Sequence, residues 1–272
     1  MTSKSTKPLP KRQIFPFMKL PAELRNRIYE ECLTDDEPIY ITNRERLYRR
    51  VARRDLQWKR SRVFYAWYDV GNINQSTNNT DREEQQQKAK PLVPAILAVS
   101  KTIYTEAVPI LYSQPIVVRD NRVLLDFVAA LTPRCAVLLR DITITSWCLS
   151  NSHKSVNLPA MALLAARGVT NLTRLNLNCS LGSFRIWSYR HKDQATPIPK
   201  RVARKVFRDC YHWLVAVGEA KGDPYAALDV LKVSEKNFSD YGDKRNGENN
   251  KRLMEKAEEE MKQQLRNLLD RM

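Results

Sequence analysis

Apolar residues recur at intervals of three and four in several stretches of the chain, and each stretch predicts a helix with one buried face. In FPFMKLPAELRNRIYEECL, Phe15 to Leu33, the residues Leu20, Leu24 and Ile28 share a face. Pro21 suits the first helical position there, where its missing N–H costs nothing. A wider stripe runs through PLVPAILAVSKTIYTEAVPILYSQ, Pro91 to Gln114. Leu92, Ile96, Val99, Ile103, Ala107 and Ile110 lie on one line, with Leu97, Tyr104, Val108 and Leu111 beside it. A face this broad is expected in a core, and Pro109, with no N–H to donate, is expected to break or kink the helix near its end.

Elsewhere the period changes from helical to extended. Ile39 to Thr42, Ile116 to Val118, Asp141 to Thr145, Leu172 to Cys179 and Asp229 to Val233 are rich in Val, Ile, Leu and Thr and predict strands. Helical patterns at Asn121–Leu131, Leu158–Arg167 and Lys200–Lys221 alternate with them. That order predicts an α/β or α+β fold, with a mixed or parallel sheet whose strands are joined by crossover helices. PAMALLAARGVTNLTRLNLNC and YAALDVLKVSE loosely resemble leucine-rich repeats, but their strand spacings of about 33 and then 56 residues do not make a regular solenoid. At the C-terminus, Met254, Ala257, Met261, Leu265 and Leu268 form one face of a further helix. Too few heptads stand there for a coiled coil, so docking on its own domain is favoured over dimerisation.

Composition narrows the class. Of 272 residues, 43% are hydrophobic and 28% charged, the balance of a globular protein. No apolar run reaches the roughly 20 residues of a spanning helix, and MTSKSTKPLPKRQ lacks a signal-peptide core. A protein of the nucleus or cytoplasm, with no membrane partner, is expected. Five scattered cysteines, Cys32, Cys135, Cys148, Cys179 and Cys210, suggest reduced, mostly buried thiols and no zinc module.

Charge is unevenly placed. Basic residues outnumber acidic ones 46 to 30, and residues 1–62 alone hold 16 against 8. RERLYRRVARRDLQWKRSR, Arg44 to Arg62, is the densest segment, with nine basic and two acidic residues. Residues 72–90 hold one large apolar side chain, Ile73, and read as a flexible loop.

Candidate chemistry is sparse. The seven glycines form no phosphate-binding loop, and His153, His191 and His212 have no metal-ligand spacing. His212, between Tyr211 and Trp213, is expected to be packed and hydrogen-bonded. Cys179 and Cys210 fall in strand and helix patterns where a small buried thiol is the commoner role than a nucleophile. No enzyme activity and no cofactor are expected.

Two phrases carry a resemblance. LPAELRNRIY near the N-terminus and LAVSKTIYTEAVPILY downstream resemble a large group of filamentous-fungal proteins with an F-box-like N-terminus. The resemblance covers roughly a third of the chain. It implies a small helical bundle that binds a Skp-type adaptor of a cullin-RING ubiquitin ligase, while the C-terminal domain selects a protein substrate. Leu20, Pro21, Leu24 and Ile28 would face the adaptor, and Val99, Ile103, Tyr104 and Leu111 would support the bundle. Burying each such side chain is worth about 1.5–3 kcal/mol against its own core or another protein, so both alternatives stand.

The organisation expected is a disordered basic tail over 1–13, an F-box-like region over 14–115 with a basic, partly disordered insertion at about 34–90, an α/β domain over 116–239, and a linker with an amphipathic helix over 240–272. The functional expectation is a non-catalytic interaction module of unknown oligomeric state. The alternative is a nucleic-acid-binding protein using Arg49, Arg50, Arg53, Arg54, Trp58, Lys59 and Arg60 within the basic segment, whose cations meet phosphates and whose Trp58 stacks on bases.

Overall fold

A computed structural model describes residues 15–46, 49–54, 92–149, 154–182, 198–238 and 247–272. The tail over 1–13, the loop over 72–90 and residues 58–60 lie outside the described residues. The chain divides into two compact units, Met1–Thr34 with Pro91–Leu111, and Asp35–Lys90 with Tyr112–Met272.

The first unit is helical. A 3-10 turn, Phe17–Lys19, leads into helix α1, Ala22–Leu33. Pro21 is the N-cap and not the first helical residue, and the Arg25 N–H donates to its carbonyl at 3.2 Å. The second stripe is not one helix. A 3-10 segment, Pro94–Ala98, stops at Val99, and α2, Lys101–Tyr112, begins after Ser100, whose Oγ accepts the Ile103 N–H at 3.2 Å. Pro109 does not end α2, which continues to Tyr112.

Tyr29, Leu33, Ile103 and Ala107 form the core of this unit, with Phe17, Cys32, Ile96, Leu97, Ile110 and Leu111 packed against it. The expected stripe is therefore only partly internal. Val99 is 68% and Tyr104 41% exposed, which corrects their expected role as bundle supports. Val99 falls in the break between helical segments, and Tyr104 lies about 100° around α2 from the buried Ile103.

The second unit is a sheet with helices. β1, Ile39–Arg46, and β2, Arg49–Arg54, make an antiparallel hairpin at one edge. β3, Ile116–Asp120, β4, Asp141–Ser146, β5, Arg174–Leu177, and β6, Leu231–Val233, continue it in parallel, so the order is β2-β1-β3-β4-β5-β6. The insertion after α1 thus supplies two strands of the α/β unit, and the basic segment is a strand over part of its length.

Ile116, Ile142, Leu175 and Leu231 are in register across the sheet. Their offsets of 26, 33 and 56 residues are unequal, yet each strand lies beside its predecessor. With crossovers of one hand, a sheet built in chain order carries its helices on one face. The burial agrees: Ile39, Ile41, Ile116, Val118, Ile142, Ile144, Leu175, Leu177, Leu231 and Val233 are buried, whereas the alternating Arg119, Thr145, Arg174 and Lys232 are exposed.

The helical layer follows the same order. α3, Asn121–Ala130, packs on α4, Asn157–Ala166, which packs on α5, Ile198–Lys221, which packs on α6, Gly247–Leu269. Asp120 caps α3, accepting the N–H groups of Arg122 and Val123 at 3.0 Å. α6 docks on its own unit through Ala257, Met261 and Leu265, all fully buried, and Arg266 lies 6.0 Å from the Tyr225 ring.

Buried polar side chains pin these elements together. Asp209 on α5, 4% exposed, accepts the Trp147 indole N–H at 3.0 Å and an Asn157 amide N–H at 3.4 Å. Asn157 also donates to the Cys148 carbonyl at 2.9 Å and accepts from Asn121 at 2.7 Å. Burial works to raise the Asp209 carboxyl, but bonds from Arg208, Trp147 and Lys205 outweigh it and hold the group below the usual carboxylate range.

A candidate docking ridge on the helical unit

The orientation of α1 is set by a polar clamp. Arg25 meets Glu106 of α2 in a two-pronged contact, Nε to Oε2 at 3.0 Å and Nη2 to Oε1 at 2.8 Å. Such paired charge-assisted bonds fix direction as well as distance. The Tyr29 hydroxyl donates to Glu106 Oε2 at 2.9 Å, and Arg25 Nη1 donates to the Leu20 carbonyl at 2.7 Å. The Arg25 guanidinium and Tyr29 hydroxyl hold the Glu106 carboxyl below its ordinary range, while burial and the bond to Glu106 push the Tyr29 hydroxyl up.

All three residues stand inside the phrases LPAELRNRIY and IYTEAVPILY. Their periodicity is apolar, so the pairing of Arg25 with Glu106, 81 positions apart, had no local signal. The opposite charges in two motifs far apart in the chain were the only hint.

The clamp, with Tyr29 and Leu33 beneath it, turns one side of α1 inward. The predicted ridge flanks that side, with Leu20 in extended backbone before α1. Pro21 is exposed, Leu24 is 46% exposed, and Leu20 and Ile28 are half-buried. Core packing is thereby excluded for Leu24, which precedes the clamped Arg25 by one residue and sits about 100° away. Phe15 at 65% and Met18 at 44% exposure add large apolar side chains to the same short unit.

The basic segment is divided. In the ladder, Arg46 stands opposite Arg49, Glu45 opposite Arg50, Thr42 opposite Arg53 and Ile41 opposite Arg54. Arg54 is engaged with Asp35 at 2.5 Å. Arg49, Arg50 and Arg53 are placed as strand backbone, and Trp58, Lys59 and Arg60 lie outside the described residues.

The remaining candidates are placed as follows. Burial pushes the Cys179 thiol up to about 12 and raises Cys210 as well, so both are protonated at neutral pH. His212 is exposed, contrary to its expected packing, with its ring 3.8 Å from that of Tyr211. Apolar neighbours in sequence do not bury it, because adjacent helical residues point about 100° apart. Among the described residues, no cluster of His, Cys, Asp or Glu could hold a metal ion, and no helix is long and apolar enough to cross a membrane.

The architecture is a helical unit joined to a two-layer α/β unit. A family model described as a domain of unknown function, DUF7730, matches residues 11–156, more than half of the chain. The chain belongs to that family. The match takes in α1, α2 and strands β1 to β4. No curated protein and no solved structure matches the chain.

Proposed function

We propose that the protein is a non-catalytic interaction module whose helical unit docks on another protein through the ridge of Leu20, Pro21, Leu24 and Ile28. The partner in this reading is a Skp-type adaptor, the chain acting as an F-box-like substrate receptor of a cullin-RING ubiquitin ligase. The observation that carries it is the exposure of Leu24 on α1, and of Pro21 at its N-cap, beside the clamped face. The clamp holds α1 rigid, so Leu24 and the half-buried Ile28 are presented with little ordering cost. A groove-lining partner reads such a face through anchors spaced as Leu20, Leu24 and Ile28 are.

The test is a pull-down of purified Skp-type adaptor by wild type, Leu24→Asp and Leu20→Asp. Leu24 is exposed, so the charge at that position leaves the core of the unit intact. Retention by wild type and loss in both variants is expected. Equal retention by all three, or none by any, removes the adaptor from the reading.

A further inference from the structure

The outward side of α5 concentrates positive charge beyond the two cations, Lys205 and Arg208, that hold Asp209. Lys200, Arg201, Arg204, Lys205 and Arg208 occupy its first half, with Asp209 as the one acidic residue among them. Lys200, Arg204 and Arg208 follow one another about a turn apart, roughly 5.4 Å along the axis, and Arg204 and Arg208 are exposed. His212 continues the line one turn on. The apolar side of the helix, Val202, Val206, Trp213, Leu214 and Val217, is buried in the layer.

This arrangement opposes local stability twice. Like charges three and four residues apart repel along a helix. Cations also sit at the positive end of the macrodipole, and the first turn holds no acidic residue to offset it. Neighbouring α4 contains no acidic residue, and Lys154 stands just before it. On the other side, α6 carries Glu248, Glu255, Glu258, Glu259 and Glu260, with Glu258 paired with Lys262 and Glu260 also engaged. Asp209 fixes two of the cations without cancelling the group, binding Lys205 Nζ at 3.0 Å and Arg208 Nε at 2.8 Å while the Arg208 side chain stays 64% exposed. Lys200 and Arg204 break these local rules near the surface, as residues of binding sites do.

We propose that this face of α5 binds the phosphodiester backbone of a nucleic acid. A row of cations at one-turn spacing matches a linear array of phosphates, and three of the five are arginines, whose planar donors suit phosphate oxygens. Half-buried Phe207 and Tyr211, with ring centroids 6.2 Å apart, border the row and offer aromatic surface to an unpaired base. A membrane surface is disfavoured, because the apolar side that would insert is already the core. The site is separate from the α1 ridge and stands or falls without the adaptor reading.

The experiment is fluorescence anisotropy of the full chain with a labelled RNA of roughly 20 nucleotides, single-stranded and duplex, between about 50 and 200 mM salt. With four phosphates neutralised, log K for the duplex falls with log salt at a slope of about −3 to −4. Lys200→Ser/Arg201→Ser/Arg204→Ser is expected to weaken binding at least about tenfold and to flatten the slope by about 2–3, and Arg204→Glu alone to weaken it severalfold. Arg204→Glu should melt close to the wild-type temperature, since Arg204 is exposed. A charge-matched control, Arg134→Ser/Lys221→Ser/Arg271→Ser, should change binding less than about twofold. Equal losses in the two triple variants, binding indifferent to salt, or a polyglutamate peptide bound as tightly as the RNA would each overturn the proposal. If duplex and single strand bind alike, the backbone is the ligand; a preference for the single strand assigns Phe207 and Tyr211 a stacking role.

Discussion

Replacing Asp209 by alanine removes the acceptor on which Trp147, just after β4, and the first residue of α4, Asn157, converge. Four contacts are lost, of which the 3.4 Å bond from the Asn157 amide matters least because that amide keeps the Cys148 carbonyl. The Trp147 indole N–H, in a side chain 4% exposed, is left without its acceptor, which costs about 1–3 kcal/mol. The charge-assisted contact with Lys205, 16% exposed, contributes about 1.5–3 kcal/mol. Arg208 is largely solvated, and its share is about 0–1 kcal/mol. These contributions overlap, so the total is about 3–5 kcal/mol, the range seen when one member of a buried pair is removed. For a chain of this size that lowers Tm by about 6–15 °C.

The pH dependence has a definite sign. The folded-state pKa of Asp209 is depressed, so its contribution is complete above the ordinary carboxylate value near 4 and fades as pH falls through the lower folded value. Urea unfolding followed by circular dichroism at about pH 7 and about pH 3 measures both effects. Asp209→Asn keeps the shape and an acceptor for Trp147, so it should lose less at neutral pH than Asp209→Ala. Both variants should also lose less than wild type on acidification. An alanine variant within about 1 kcal/mol of wild type at neutral pH would refute the view that this buried network carries the junction.

Further outcomes follow from the same structure. Tyr29→Phe keeps the ring in the core of the helical unit but removes the bond to Glu106; a loss of about 1–2 kcal/mol is expected in thermal melts, against about 3–5 for Tyr29→Ala. Met261→Ala, on the fully buried face of α6, should cost about 2–5 kcal/mol and increase proteolysis of the C-terminal helix, whereas Gln263→Ala on the exposed side should be near neutral. Gly222 has φ +70° and open space around its Cα, so Gly222→Ala should cost about 1–2 kcal/mol through backbone strain alone, with no change in m-value. In Gly218→Ala the new Cβ would meet the Pro224 backbone at 3.0 Å, and a loss of about 1–3 kcal/mol is expected from overpacking.

Much of the secondary structure was legible because strands and helices differ in apolar period. Ile116–Val118, Asp141–Thr145 and Lys200–Lys221 each fell within two residues of the observed β3, β4 and α5 limits at both ends. The parallel arrangement followed from the alternation of the two element types. The break at Val99 and the continuation of α2 past Pro109 did not follow, because a capping serine and a tolerated proline depend on backbone bonds made in three dimensions.

The candidate sites divided in the same way. Leu20, Leu24 and Ile28 were visible as a line on one helix, but whether that line faced in or out was set by Arg25, Tyr29 and Glu106, a contact across 77 to 81 positions. The basic stretch at Arg44–Arg62 drew attention by density, whereas the α5 cations became a surface only when Asp209 and the apolar side of the helix were buried. The sequence by itself determined where helices and strands form, since period and propensity are local. Tertiary structure alone decided which faces remain for partners, because burial depends on which distant elements arrive to cover them.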